Sequence, residues 1–113
     1  MNAVAALLVA ATSLHITVWP HGRDHSPRRA YTLTCAPAAG TLPRPRSACT
    51  RLSALPRPFA PTPRQVACSQ IYGGPQEALV VGRFRGQPIR SSFNRRNGCE
   101  IDRWNRVAFL FPQ

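Results

Sequence analysis

The sequence contains no lysine, and all fifteen of its basic residues are arginine. It also has only four carboxylates, so its formal net charge is +11. A field of one sign attracts anionic partners. The arginines, however, are scattered from Arg23 to Arg106 without the interleaved aromatic residues that are typical of a nucleic-acid surface. The pattern therefore favours a solvated arginine-rich surface and argues against nucleic acid as a partner.

Groups that carry enzymatic chemistry are scarce. The four carboxylates are Asp24, Glu77, Glu100 and Asp102. A hydrolase needs a nucleophile, a base and an orienting group, and no glycine-rich phosphate loop precedes a helix-like segment here. His21 and His25 flank Asp24 in the motif HGRDH, but a third metal ligand is missing from this loop. The sequence thus predicts a protein that is not an enzyme and has no cofactor or metal.

No run of residues approaches the roughly 20 apolar positions of a membrane span. Residues 1–11, MNAVAALLVAA, are apolar and end in small side chains, like the core and cleavage site of a secretory signal. They lack a basic start and are shorter than the ~15–30 residues of a complete signal. They are either part of a signal or a flexible N-terminus. Residues 12–113 have the length of one domain.

The four cysteines form no CxxC pair, which leaves zinc-ribbon or thioredoxin-type chemistry without local support. Two disulfides are the alternative, and they imply an oxidising, extracellular location. Four cysteines allow three pairings, of which the sequential one closes the shortest loops. A zinc-binding module would instead require free thiols. The cysteines are Cys35, Cys49, Cys68 and Cys99.

Twelve prolines and seven glycines leave few windows for a long helix. A short helix is predicted over residues 47–55, capped by Ser47 and ended by Pro56. Residues 94–104 are predicted to form one helical turn or a loop. Alternating apolar residues predict five strands and hence an α+β domain with an antiparallel sheet. The predicted strands are residues 13–19, 30–36, 77–84, 87–93 and 106–111.

The stretch CSQIYGG, residues 68–74, places the dipeptide Gln70-Ile71 two residues after a cysteine. If Cys68 is bridged to Cys99, the segment is held extended and loses little entropy when a protease cleft binds it. After acyl transfer the new amine of Ile71 stays close, so religation competes with hydrolysis. Such a segment binds the protease as a substrate does, but it is released so slowly that it inhibits the protease.

Several runs also resemble segments of one known family. YTLTCAPAAGTLPRPRSACTRL, residues 31–52, resembles the TLTCAP…G(T)HP…ACA.L signature of the Streptomyces subtilisin inhibitor family. VACSQIYGGP resembles the V.CP.VYDP reactive-site loop of that family. FRGQPIRSSFNRRNGCEIDRW…VAFLF is similar to its C-terminal segment, and TSLHITVWPHG is similar to its first strand. The resemblance covers residues 12–111 and accommodates all four cysteines.

The resemblance implies a secreted, homodimeric inhibitor of subtilisin-like serine endopeptidases. It implies an α+β fold with a five-stranded antiparallel sheet, two short helices, and the disulfides Cys35–Cys49 and Cys68–Cys99. Gln70-Ile71 would be the scissile bond, with Gln70 setting specificity, and the side-chain amide of Asn97 would brace carbonyls of the loop. The implied reactive-site loop consists of Cys68, Ser69, Gln70, Ile71 and Tyr72.

This sequence departs from the family pattern within that loop. Ser69 stands where the family usually has proline, which adds loop freedom. Gln70 replaces methionine, lysine or another residue with a strong target preference. Gly73-Gly74 replaces a single aspartate and is expected to lower rigidity. The high charge suggests an alternative function, in which the inhibitor scaffold is repurposed as a basic binding protein for anionic polymers.

Overall fold

The protein is described by a computed structural model that covers residues 12–113, so the expectations for residues 1–11 lie outside the described part of the chain. The described chain folds as an antiparallel sheet with two helices packed against it, and the predicted α+β class is confirmed. No helix in this part of the chain combines the length and apolar character that a membrane span requires. The elements are β1 (Thr12–Trp19), β2 (Arg29–Cys35), α1 (Pro45–Ser53), β3 (Glu77–Phe84), β4 (Gln87–Asn94), α2 (Gly98–Arg106) and a 3-10 turn (Ala108–Leu110).

The sheet is built on the period-two pattern of its strands. Leu14, Ile16 and Val18 of β1 are buried on one face, and Ala78 and Val80 of β3 lie on the same face. The strand order is β2-β1-β3-β4, and every neighbouring pair is antiparallel. Four of the five predicted strands are present in residues 12–113, each shifted by at most one residue at either end.

The fifth predicted strand, residues 106–111, is wrong. Arg106 ends α2, and residues 108–110 form the 3-10 turn. The buried side chains in this segment are those of Val107, Leu110 and Phe111. Their i, i+3, i+4 spacing is helical, whereas the strand prediction assumed that Phe109 alternates with Val107 and Phe111. Phe109 is only partly buried.

Helix α1 begins two residues earlier than predicted. Pro45 opens the helix, where its missing N–H costs no hydrogen bond. Arg44 precedes it in the left-handed region at φ 52° and gives no side-chain cap, so the predicted capping role of Ser47 is wrong. At the other end, Arg85 donates from Nη2 to the carbonyl oxygens of Leu52 at 3.2 Å and Leu55 at 2.9 Å. The positive charge of Arg85 also interacts favourably with the negative, C-terminal end of the dipole of α1.

Helix α2 forms where one turn or a loop was predicted. Its start is defined by Asn97, whose Oδ1 accepts a hydrogen bond from the amide of Glu100 at 3.0 Å. This is the N-cap arrangement that asparagine favours. Trp104 is buried, and the centroid of its ring lies 4.7 Å from the ring centroid of Phe111. The helix is therefore fixed to the core close to its C-terminal end and capped at its N-terminal end.

Two disulfides join these elements. Cys35 at the end of β2 is bonded to Cys49 in α1, and Cys68 is bonded to Cys99 in the first turn of α2. This is the pairing that the family resemblance implies. The first bridge fastens α1 to one end of the sheet. The second fastens the chain that leads into β3 to α2.

Candidate functional site: an exposed loop anchored at both ends

The chain between α1 and β3 contains the most exposed apolar side chains of the described residues. The large apolar side chains that are exposed in residues 12–113 are Val66 at 49%, Ile71 at 62% and Tyr72 at 65%. Residues 66–74 have no regular secondary structure. Exposed apolar side chains that lie close together often mark an interaction site, whereas single ones do not. This segment therefore offers apolar contacts to a partner.

The N-terminal side of the segment is held by α2. Cys68 is covalently bonded to Cys99, with a Cα–Cα distance of 5.3 Å. The carbonyl oxygen of Ser69, the next residue, accepts a hydrogen bond from the amide of Gly98 at 3.0 Å. Gly98 lies so close to the loop that a Cβ built on it would meet Ser69 Oγ. Two successive residues are thus tied to the start of one helix.

The C-terminal side of the segment is held by Arg95. The amide of Gly73 donates to the carbonyl oxygen of Arg95 at 2.7 Å, and Arg95 Nε donates to the carbonyl oxygen of Gly73 at 3.2 Å. Arg95 Nη1 is itself held by Asn105 Oδ1 at 3.0 Å. Hydrogen bonds that involve a charged donor are stronger than neutral ones. Gly73 is therefore fixed by both of its backbone polar groups.

Gly73 also sits directly on α2. A Cβ built on Gly73 would lie 2.8 Å from Ile101 Cδ1, closer than side chains normally pack. The expected loss of rigidity at Gly73-Gly74 is therefore opposed at Gly73 by close packing and two hydrogen bonds. Gly74 has φ 124°, a backbone conformation that glycine adopts without strain. The two glycines let the backbone approach α2 and then turn towards β3.

We call residues 68–73 the anchored loop. Both of its anchors come from residues 95–99, which follow β4 and open α2. Gln70, Ile71 and Tyr72 lie between the anchors and are exposed. The structure thus places the predicted bond Gln70-Ile71 at the middle of a short segment whose two ends are tied to one body.

Asn97 lies between the two anchors, but its side-chain hydrogen bond is the helix cap. Its Oδ1 accepts from Glu100, and among the described residues the bonds to the loop carbonyls of Ser69 and Gly73 come from Gly98 and Arg95. Direct bracing of the loop by the Asn97 amide stays a prediction. By capping α2, Asn97 orders the turn that carries Cys99.

Sequence reasoning did not identify Arg95 or Ile101 as part of the site. Arg95 is one of fifteen arginines, and nothing in NRRNG distinguishes it from Arg96. Ile101 lies in a segment without a clear helical pattern. Arg95 and Ile101 lie against the loop because the chain that follows β4 runs beneath it, and this is a property of the tertiary structure.

The loop between β1 and β2 lies against the point where the anchored loop leads into β3. The backbone amide of Arg23 donates to Glu77 Oε2 at 3.0 Å, and the side-chain Nε of Arg23 lies 3.3 Å from Glu77 Oε1. Arg96 Nη2 is 3.4 Å from the same Oε1. His21, Asp24 and His25 are exposed in this loop, and no set of three or more metal-ligating side chains clusters within residues 12–113.

The fold and the loop define a class of small disulfide-bonded α+β domains that present one exposed, doubly anchored segment. Within this class, the chain belongs to the subtilisin inhibitor-like family, whose family model matches residues 10–97. Subtilisin inhibitor-like protein 4 of Streptomyces lavendulae is 32% identical over 115 aligned positions, which cover 97% of this chain and 98% of that protein. Subtilisin inhibitor-like protein 5 of Streptomyces fradiae is 37% identical and covers 79% of this chain and 85% of its own.

A solved structure shows the same architecture. Streptomyces caespitosus sermetstatin, in its crystal structure in complex with Bacillus licheniformis subtilisin, is 25% identical and superposes with a TM-score of 0.55. The match covers 89% of this chain and 97% of sermetstatin. The family resemblance inferred from the sequence motifs is therefore confirmed.

Proposed function

We propose that this protein inhibits subtilisin-like serine endopeptidases by presenting Gln70-Ile71 to the protease as a substrate. The observation that carries this function is the double anchoring of the loop by residues 95–99. A segment that is already ordered loses little conformational entropy on binding, so more of the contact energy appears as affinity. Family membership and the subtilisin complex of sermetstatin support the same function.

The anchors also explain how a cleavable bond can inhibit. The protease serine attacks the carbonyl carbon of Gln70, and the amine of Ile71 leaves as the acyl-enzyme forms. The new amine stays near because Gly73 is held two residues away, and the acyl carbon stays near because Ser69 is held one residue away. A nearby amine has a high effective concentration and attacks the acyl group again. Religation then competes with hydrolysis, and the complex persists.

Gln70 supplies the side chain for the primary specificity pocket of the protease. Its neutral amide has no charge for an acidic pocket and leaves hydrogen-bonding groups unpaired in an apolar one. Ile71 and Tyr72, both well exposed, offer apolar contacts on the leaving-group side of the bond. The sequence of the loop therefore favours a protease whose pocket accepts uncharged residues of medium length.

Family membership and the disulfides support a proposal about the location and assembly of the inhibitor. We propose a secreted, extracellular protein in which residues 12–113 form the inhibitor domain, with residues 1–11 as part of a signal or an N-terminal extension. We also propose a homodimer. Leu79 and Val81 of β3 point to the face of the sheet opposite the core and are only half-buried, which supports an apolar contact with a second copy. Light scattering after gel filtration gives the oligomeric state directly.

The test of the function is incubation of the oxidised protein with subtilisin at near-equal concentrations. Residual protease activity and the state of the Gln70-Ile71 bond are followed together, the latter by mass spectrometry. We expect a sustained loss of activity while most of the bond stays intact. Full protease activity with intact protein, or rapid and complete cleavage of the bond, would each contradict the proposal.

Gln70→Met is expected to lower the inhibition constant for subtilisin by about tenfold, since it removes the cost of an unpaired buried amide at similar side-chain volume. Gln70→Pro is expected to abolish inhibition, because proline removes the backbone N–H and fixes φ. Gln87→Met is the matched control at the exposed first residue of β4. It should leave the inhibition constant unchanged, and an equal gain in both methionine variants would refute the assignment of Gln70.

Arg95→Gln is expected to weaken inhibition roughly 10- to 100-fold, because it removes a charge-assisted hydrogen bond to Gly73. The bond Gln70-Ile71 should also be cleaved faster. Arg96→Gln is the control, since the side chain of Arg96 is 64% exposed and its Nη2 lies 3.4 Å from Glu77 Oε1. If both variants inhibit like the wild type while remaining folded by circular dichroism, the Arg95 anchor does not hold the loop.

A further inference from the structure

The charges of this protein are unevenly distributed along the chain. Residues 25–76 contain seven arginines and no carboxylate. The carboxylates that form ion pairs in residues 12–113 lie elsewhere: Glu77 contacts Arg23 and Arg96, and Glu100 contacts Arg103. This stretch therefore carries seven positive charges with no carboxylate of its own, and it includes α1.

Three arginines of this region share one surface, which we call the α1 arginine surface. It consists of Arg44, just before α1, and Arg46 and Arg51 within the helix, and all three side chains belong to exposed residues. Two adjoining clefts meet here and share Arg44, Ser47 and Arg51. Within residues 12–113 no carboxylate lies in salt-bridge range of the three guanidinium groups.

The helix that carries this surface is fastened through Cys49 and its C-terminal end to the end of the sheet that lies farthest from the anchored loop. Thr12 pairs with Cys35, and the β3–β4 hairpin turns after Phe84, so these residues mark one end. The anchored loop leads into Glu77, which pairs with Asn94 at the other end. Eight-residue strands separate the two ends by about 25 Å. Cys49 and Arg85 hold α1 at the first end.

The chemistry of the surface fits phosphate groups better than bases. A guanidinium group binds phosphate through two parallel hydrogen bonds. Proteins that bind single-stranded nucleic acid also need exposed aromatic rings on which bases stack. The aromatic ring at this surface is that of Phe109, which is partly buried and covered by Arg51 at 4.5 Å. The surface thus provides charge without a stacking platform.

We propose that the α1 arginine surface binds a linear polymer of phosphate groups while the anchored loop, at the other end of the sheet, stays free for a protease. The ligand class is a flexible polyanion that is read through its phosphates alone. Binding of this kind releases counterions from the polymer. The logarithm of the binding constant therefore falls linearly as the logarithm of the salt concentration rises. The proposal adds a second partner to the inhibitor and does not depend on its inhibitory activity.

The test uses linear inorganic polyphosphate and two variants of equal net charge. The first is Arg44→Gln/Arg46→Gln/Arg51→Gln. The second is the matched control Arg28→Gln/Arg64→Gln/Arg90→Gln, which removes three exposed arginines outside that surface, two in loops and one in β4. Affinity is measured by calorimetry across a range of salt concentrations, and circular dichroism verifies that each variant is folded.

We expect the first variant to bind polyphosphate at least about tenfold more weakly near physiological salt and to lower the salt slope by about 2. The control should change affinity less than about threefold, since its arginines lie away from the surface. Subtilisin inhibition by the first variant, and by the wild type saturated with polyphosphate, should be unchanged.

Equal losses in the two variants would mean that only net charge matters and would overturn the assigned surface. No measurable binding by the wild type at physiological salt would overturn the proposal as a whole. Tighter binding of single-stranded DNA than of polyphosphate with the same number of charges would show that bases are recognised. Loss of inhibition on adding polyphosphate would contradict the separation of the two surfaces.

Discussion

The variant Cys68→Ala/Cys99→Ala is expected to be a substrate of subtilisin and no longer an inhibitor. The disulfide ties Cys68 to the first turn of α2, next to the hydrogen bond between Gly98 and Ser69. Without it, the loop has more conformations to lose on binding, and the two ends of a cleaved bond separate before religation. On the loop-entropy model the bridge also stabilises the folded chain by about 3–4 kcal/mol relative to the unfolded chain. The freer loop and the lost religation are expected to raise the inhibition constant by about 100-fold or more.

The measurement is the inhibition constant together with the rate at which the Gln70-Ile71 bond disappears. Cys35→Ala/Cys49→Ala is the control, because it removes the other disulfide, which lies at the opposite end of the sheet and closes a shorter loop, with a sequence separation of 14 against 31. The control loses stability, but at a temperature where it is folded its inhibition constant should stay within about threefold of the wild type. Equal loss of inhibition in the two variants would attribute the effect to global stability, against the local anchoring of the loop.

Arg103→Met is expected to lower the free energy of unfolding by about 3–5 kcal/mol, because it removes the ion-pair partner of Glu100 and leaves that carboxylate with the hydrogen bond from Thr62 Oγ1. The Arg103 side chain is only 9% exposed, and it joins α2 to β4 and to the chain after α1. Its hydrogen-bond acceptors are Ala60 O at 3.0 Å, Ser92 O at 3.0 Å, Glu100 Oε1 at 2.8 Å and Ser91 Oγ at 3.1 Å. Guanidinium chloride denaturation with the disulfides intact measures the change.

Two further variants separate the ion pair from the loss of one arginine. Arg106→Met removes an exposed arginine three residues later on α2, and it should change stability by less than about 0.5 kcal/mol. Arg103→Met/Glu100→Gln removes both charges and should recover part of the loss, since no unpaired carboxylate remains. If Arg103→Met costs no more than Arg106→Met, the buried network does not support the packing of α2.

The sheet could be predicted because its strands carry their own pattern. Leu14, Ile16 and Val18 alternate with polar residues, and the buried face is the one that this alternation indicates. The C-terminal segment has apolar residues at both period-two and helical spacings. Val107 fits either pattern, and only the packing of Leu110 and Phe111 on the core selects the helical one. Local alternation therefore sufficed where one pattern was present and failed where two overlapped.

The site divides in the same way. The candidate scissile bond Gln70-Ile71 was predicted from its distance to Cys68 and from the family resemblance, both of which are properties of the sequence, and its two residues are exposed. The groups that hold it were not visible there. Arg95 acts on Gly73 across a gap of 22 residues, and Ile101 touches Gly73 only because α2 starts directly beneath the loop. Such contacts depend on where β4 ends.

The amino-acid sequence by itself determined the strand faces, the family and the position of the loop, since each depends on residues close together in the chain or on recognisable motifs. The tertiary structure alone decided which groups restrain that loop and which arginines share a surface. Fifteen arginines look equivalent in the sequence. They acquire different roles because folding buries Arg103, places Arg95 against a loop carbonyl and leaves Arg44, Arg46 and Arg51 exposed, with no carboxylate partner among residues 12–113.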